Sequence, residues 1–197
     1  VAMFDPEVVV APFLKRRIPA AVWRARPCLV VHPGPPGDRG PAALDWAVLA
    51  SRPAWGVTVL QATEDFDAGP VWAHAAVAMR EGAKGSLYRG EVTDAAVRAC
   101  LAALDRLARG DAPPPTPSPA AAADLGWRPA MPQTARRIDW SHDRAADVLA
   151  KLRSADGQPV VADECFGLAC HLYDGHPASA AALAAVPDAP PGTVVAR

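Results

Sequence analysis

Four short apolar runs, each bracketed by proline or glycine, set the rhythm of the first half of this chain. Val8-Val9-Val10-Ala11 lies between Pro6 and Pro12, the pattern of a strand buried on both faces. A helical or irregular stretch over residues 14–23 leads to the second run, Cys28-Leu29-Val30-Val31. Gly56-Val57-Thr58-Val59-Leu60-Gln61 predicts a third strand. Residues 70–77 predict a fourth, entered through the turn-like Asp65-Phe66-Asp67-Ala68-Gly69. Residues 41–50 predict a helix, with Pro41 at its first position and apolar residues at helical spacing. Residues 93–108 predict the clearest helix: Thr93 can cap it, Asp94 suits its positive end, and Gly110 stops it. Val92, Ala96, Cys100, Ala103, Leu104 and Leu107 would share its inward face and close a domain near residue 110.

The pattern then breaks. Residues 111–119 hold five prolines, Pro113, Pro114, Pro115, Pro117 and Pro119, and an alanine run follows, which together predict a semi-rigid linker over 111–124. Beyond it, Ser141 can cap a helix running to Arg153, with Ala145, Val148, Leu149 and Leu152 inward. Asp156-Gly157 makes a turn, and residues 159–162 and 165–173 read as a strand pair. The expected organisation is an α/β domain over 1–110, a linker over 111–124 and a second unit over 125–197. One helix and about three strands cannot close a barrel, so the second unit reads as truncated. The chain starts without methionine a few residues before a strand and ends at Thr193-Val194-Val195-Ala196-Arg197, the expected start of another. It reads as a segment of a longer protein or a broken reading frame.

Composition narrows the classes of function. The 20 basic and 21 acidic residues of the 197 leave a formal charge of −1, which offers nothing to steer the chain to nucleic acid or a membrane surface. No apolar run approaches the roughly 20 residues of a membrane helix. Cys28, Cys100, Cys165 and Cys170 lack disulfide-framework spacing and fit reduced thiols in a cytoplasmic protein.

The candidate chemistry gathers at strand ends. His32-Pro33-Gly34-Pro35-Pro36-Gly37-Asp38-Arg39-Gly40 follows the second strand as a stiff loop that cannot be helical. A histidine at that position is placed to carry protons or stabilise an oxyanion, or is a hydrogen-bonded loop residue. Asp67, in another tight loop at the end of a neighbouring strand, can orient such a histidine and favour its charged form. Asp65 suits an Asx turn. Asp38-Arg39-Gly40 can bind an anion through the guanidinium and the helix amides after Pro41, or can close an intraloop ion pair or cap the following helix. Cys165, Cys170 and His171 alternate along one strand with no second cluster, so no metal site is expected.

Three motifs, His32-Pro-Gly with Arg39-Gly40-Pro41 and Asp45-Trp46-Ala47-Val48, then Gly56-Val57-Thr58-Val59, then Asp67-Ala68-Gly69-Pro70-Val71, resemble the tetrahydrofolate-dependent formyltransferases. The loop wording, with APFLKRRIP and DAGPVWA, is similar to hydrogenase-maturation proteins of the HypX/HoxX type. The resemblance implies a partial Rossmann-like formyltransferase domain followed by the start of a small OB-like β-barrel. Arg137-Ile138-Asp139-Trp140-Ser141 would stand at the head of that barrel domain. It implies a transferase that removes a formyl group from 10-formyltetrahydrofolate, with coenzyme A as acceptor. An enoyl-CoA-hydratase-like domain would be its partner and a carbon monoxide ligand for a nickel–iron hydrogenase the outcome. His32 and Asp67 carry over as catalytic, and Val30, Gly34, Asp38, Arg39, Gly40, Asp65 and Gly69 as substrate- or cofactor-binding positions. Val30 stands where the family has asparagine, and valine cannot polarise a formyl oxygen. A methionyl-tRNA or sugar-nucleotide formyltransferase, or a non-catalytic folate-binding remnant, remains an alternative.

Overall fold

The computed structural model describes residues 3–115, 125–156 and 160–195. The remainder of the expected linker, 116–124, and the Gly157 turn lie outside the described residues. In chain order the elements are β1 (Val9–Pro12), α1 (Ala20–Trp23), β2 (Cys28–His32), α2 (Ala43–Leu49), β3 (Ala54–Gln61), β4 (Val71–Ala78), α3 (Lys84–Leu87), a π-helical turn (Tyr88–Val92) and α4 (Thr93–Ala108). Then come α5 (Gln133–Arg136), α6 (Ala145–Ser154), β5 (Val161–Cys165), β6 (Leu168–Leu172) and α7 (Ala180–Ala184). The chain divides into two compact units. Unit 1 is Val1–Leu44, Arg52–Arg80 and Ser86–Ala130; unit 2 is Asp45–Ser51, Glu81–Gly85 and Met131–Arg197.

Unit 1 is built on a four-stranded sheet in the order β1-β2-β3-β4. β1 pairs parallel with β2, and the β2–β3 and β3–β4 pairs are antiparallel. The fold is therefore mixed α/β with a parallel pair in its sheet, as expected. β2 and β3 are its buried centre, with Cys28, Leu29, Val31, Val57 and Val59 sealed from solvent. Burial also pushes the Cys28 thiol up from its ordinary value, against a smaller pull from Arg26. β1 departs from the two-face burial expected of its apolar run. It is an edge of the described sheet, and Val10 is exposed.

α4 covers β3 and β4, with the bounds expected from the sequence. Val92, Ala96 and Ala103 of the expected inward face are buried, but the face is rotated: Ala95 and Ala99 join it, while Cys100, Leu104 and Leu107 are only half-buried. Alanines let the helix axis approach the sheet closely, and the leucines are left at the margin. Thr93 is not a cap: the chain is already helical, and its hydroxyl donates to the Tyr88 carbonyl at 2.5 Å.

Unit 2 has a small core of Ile138, Ala155 and Val161, packed by Val148, Leu152 and Leu172. α6 starts at Ala145, four residues beyond the expected cap. Asp139 captures the Ser141 hydroxyl at 2.6 Å, and the Asp147 side chain accepts the Arg144 amide instead. β5 and β6 form the expected strand pair, running antiparallel, but Cys165 ends β5 and so does not share a strand with Cys170 and His171 as expected. Arg136 is fully buried, bonded by Nη2 to Asp45 Oδ1 at 2.5 Å and by Nη1 to the Met131 carbonyl at 3.2 Å. Lys84 Nζ donates to the same Asp45 oxygen at 3.1 Å. Among the described residues, no helix is long and apolar enough to cross a membrane.

Candidate functional site

β2 ends at His32, in register with Thr58 of β3. The loop over residues 33–40 then folds back across the imidazole and is tied to β3. Thr58 Oγ1 donates to the Gly34 carbonyl and Trp55 Nε1 to the Pro33 carbonyl, both at 2.8 Å. Gly34 is required by this close approach: a Cβ there would lie 2.4 Å from Asp38 Oδ2 and 2.6 Å from His32 Nε2.

Beneath the loop, His32 is 4 % exposed and hydrogen-bonded through Nε2 to Asp38 Oδ2 at 2.8 Å. On the ring's other edge, Nδ1 lies 3.5 Å from Asp67 Oδ2. Two carboxylates therefore flank one imidazole. Asp67 adopts a left-handed φ of 52°, a region aspartate tolerates better than most residues, and its Oδ2 accepts the Gly40 amide at 3.0 Å. The carboxylate thus ties the two site loops together.

Asp38 does not pair with Arg39, as an intraloop ion pair would require. Its carboxylate turns inward and its Oδ1 accepts from Arg128 Nη2 at 2.6 Å, while the Arg39 side chain faces solvent. The Arg39 backbone is used instead. Its amide donates to the Gly126 carbonyl at 3.1 Å, and its carbonyl accepts the Arg128 amide at 3.0 Å, a parallel bridge to Trp127. Residues 126–128 are thereby stitched to the histidine loop.

A cleft with a cavity volume of about 190 Å³ opens at this point. Val30, His32, Gly40 and Asp67 line it, with Phe13, Phe66, Tyr88 and Trp127 as aromatic walls. Phe66 and Trp127 are 6.5 Å apart between ring centroids, and the Arg17 guanidinium sits 4.8 Å from the Phe66 centroid. Of the other positions singled out in the sequence, Asp65 lines a smaller neighbouring cavity. Gly69 allows a tight turn against β3, where a Cβ would meet the Gln61 carbonyl at 1.9 Å. Sequence reasoning missed Phe13, Tyr88, Trp127 and Arg128. The available cue was the pair Trp127-Arg128 standing directly after the proline- and alanine-rich stretch. Among the described residues, no three His, Cys, Asp or Glu side chains converge as a metal site.

An aromatic-walled cleft ending in an imidazole between carboxylates invites comparison with known proteins. The sequence profile of the formyl transferase family matches residues 1–104. The hydrogenase maturation factor HoxX of Bradyrhizobium diazoefficiens is 50 % identical over 199 residues, covering 100 % of this chain and 34 % of HoxX. Methionyl-tRNA formyltransferase of Burkholderia vietnamiensis is 31 % identical over 170 residues, covering 85 % of this chain and 49 % of that enzyme. Among solved structures, HypX of Aquifex aeolicus in complex with tetrahydrofolic acid superposes with a TM-score of 0.80 at 43 % identity, covering 88 % of this chain and 30 % of HypX. The chain thus spans about a third of the length of HoxX and HypX. It belongs to the formyl transferase family, in its HypX/HoxX-type branch.

Proposed function

We propose that this chain forms the formyl-handling site of a hydrogenase-maturation protein, taking the formyl group of 10-formyltetrahydrofolate. The observation that carries this reading is His32, fixed at a strand end between Asp38 and Asp67 and opening on an aromatic-walled cleft. The tetrahydrofolate bound by HypX supports the choice of donor. The residues present fit the formyl-bearing end of such a molecule: Phe13, Tyr88 and Trp127 offer flat apolar walls, with one imidazole at the cleft's edge. The bound donor would supply an activated one-carbon group at the acyl level.

Within the site, His32 in its protonated form donates a hydrogen bond to the oxygen on which negative charge develops, and Asp67 and Gly40 hold the two loops around that point. Val30 presents only hydrocarbon where the family's amide would polarise the same oxygen. A thiol acceptor such as coenzyme A suits this poorer site, because a thiol ionises far more readily than an amine loses its proton. In the whole protein we place an enoyl-CoA-hydratase-like domain downstream, carbon monoxide for a nickel–iron centre as the outcome, and the cytoplasm as the compartment. We assign unit 2 as the start of an OB-like domain, substrate contacts to Val30 and Gly40 at the cleft, and supporting positions in the two loops to Gly34, Asp38, Arg39, Asp65 and Gly69.

The test is turnover of 10-formyltetrahydrofolate by the full chain with coenzyme A, reading formyl-coenzyme A by mass spectrometry. Replacing His32 with alanine should lower the rate by about 10²-fold or more. Undiminished turnover in H32A would overturn the assignment, and formylation of methionyl-tRNA in place of coenzyme A would redirect the acceptor.

A further inference from the structure

We propose that Asp38, anchored by Arg128, is a positioning residue that fixes the tautomer of His32 and makes Nδ1 the nitrogen that exchanges protons in the cleft. The inference deepens the formyl-handling role assigned to His32 and rests on it. Two carboxylates compete for the ring, and distance decides between them. The Asp38 contact at 2.8 Å is an ordinary strong hydrogen bond, whereas 3.5 Å to Asp67 lies outside the usual range. The Asp67 oxygen concerned is also already accepting the Gly40 amide. Asp67 therefore lies near the ring, and Asp38 holds it.

The surroundings specify which partner carries the proton. The Asp38 side chain is fully buried, and its second oxygen lies 2.6 Å from the Arg128 guanidinium. A guanidinium is always a donor and always charged, and the carboxylate matched to it only accepts. The hydrogen in the His32–Asp38 bond thus sits on Nε2. Neutral His32 then carries its lone pair on Nδ1, and protonated His32 adds its second hydrogen there. Nδ1 faces Asp67, which lines the cleft.

A flipped ring would set a carbon against the buried Asp38 oxygen and leave that oxygen without its donor, a costly arrangement. Gly34 closes the space from above, within 2.6 Å of Nε2 for any added Cβ. The device has a use in a site where Val30 supplies no amide. One nitrogen must serve the reacting oxygen, and it serves only if the other is held.

The decisive measurement combines His32 nitrogen NMR with kinetics on the full chain, comparing wild type with Asp38→Asn. In the wild type, the His32 signal assigned by H32Q should show the Nε2–H tautomer whenever the ring is neutral. In D38N the Nδ1–H tautomer should emerge, because an amide can also donate. Formyl transfer should then fall by about 10²–10⁴-fold in kcat, with the KM for the formyl donor within about twofold. The pH profile should move with it. Arg128→Gln, which loosens the anchor while keeping the carboxylate, should shift both readouts the same way by a smaller factor, and it carries the test if D38N does not fold. An unchanged tautomer in both variants, or a tautomer change that leaves kcat at the wild-type value, overturns the proposal. If wild type shows no formyl transfer, the proposed function fails while the tautomer measurement still decides whether Asp38 sets the ring.

Discussion

Replacing Gly40 with alanine should dismantle the stitch between the histidine loop and the segment carrying Arg128. Gly40 has φ +111°, and a Cβ placed there would lie 2.0 Å from the Arg128 carbonyl oxygen. Real Cβ contacts essentially never fall below 3.0 Å, so the carbonyl must retreat by 3.0 − 2.0 = 1.0 Å. It belongs to backbone, not to the end of a flexible side chain. Two backbone hydrogen bonds hold that segment to Arg39, and each contributes about 1 kcal/mol. The left-handed φ adds about 1–2 kcal/mol for an L-residue. The loss should total about 3–4 kcal/mol, a large share of the 5–15 kcal/mol typical of a domain. Urea unfolding followed by tryptophan fluorescence measures it, and the thermal midpoint should fall by roughly 10 °C. A loss below about 1 kcal/mol would show that the segment yields freely and that the stitch contributes little.

Replacing the buried Arg136 of unit 2 with methionine should cost about 3–5 kcal/mol by urea unfolding, because Asp45 then loses its better-buried cation and two carbonyls lose a donor. In the same unit, the Asp139 carboxyl is held down from the ordinary 3.8 to about 2, first by the Ser141 hydroxyl, then by His142 and the Ser141 amide. Its contribution to stability is therefore fully present above pH about 4 and lost as pH falls through about 2. Carboxyl carbon NMR should show that low midpoint, and S141A should raise it; an unchanged midpoint in S141A would remove the hydroxyl as the cause.

The strands were legible because each apolar run is bounded by residues that stop a strand: β3 begins beyond Pro53, and Pro70 precedes β4. α4 was legible to the residue, and its inward face only in part: Ala96 and Ala103 are buried as expected, Cys100, Leu104 and Leu107 less so. Hydrophobicity favours leucine, whereas the sheet accepts the alanines that let the helix sit close. That His32 and Asp67 come close together was legible because His32 ends a strand and Asp67 stands in the loop between two strands of the same sheet, which is a local signal. Asp38 could not be read correctly: its partner Arg128 lies 90 residues away, and the neighbouring Arg39 offered a nearer but wrong pairing. Ser141 failed as a cap for a similar reason, since Asp139 two residues before it took the hydroxyl. The aromatic walls come from four separated segments, and no local pattern joins them.

The contact between Asp38 and Arg128 also sets an order in time. The histidine and its carboxylate leave the ribosome 90 residues before the cation that anchors them. At ordinary rates of synthesis that gap is roughly 5–20 s. Through that interval the loop can close on His32, but its buried carboxylate has no guanidinium beside it. On the proposed role of Asp38, orientation of the imidazole is thus deferred until residues 126–128 have emerged, and a nascent chain halted before Arg128 carries the histidine without the cation that anchors its carboxylate.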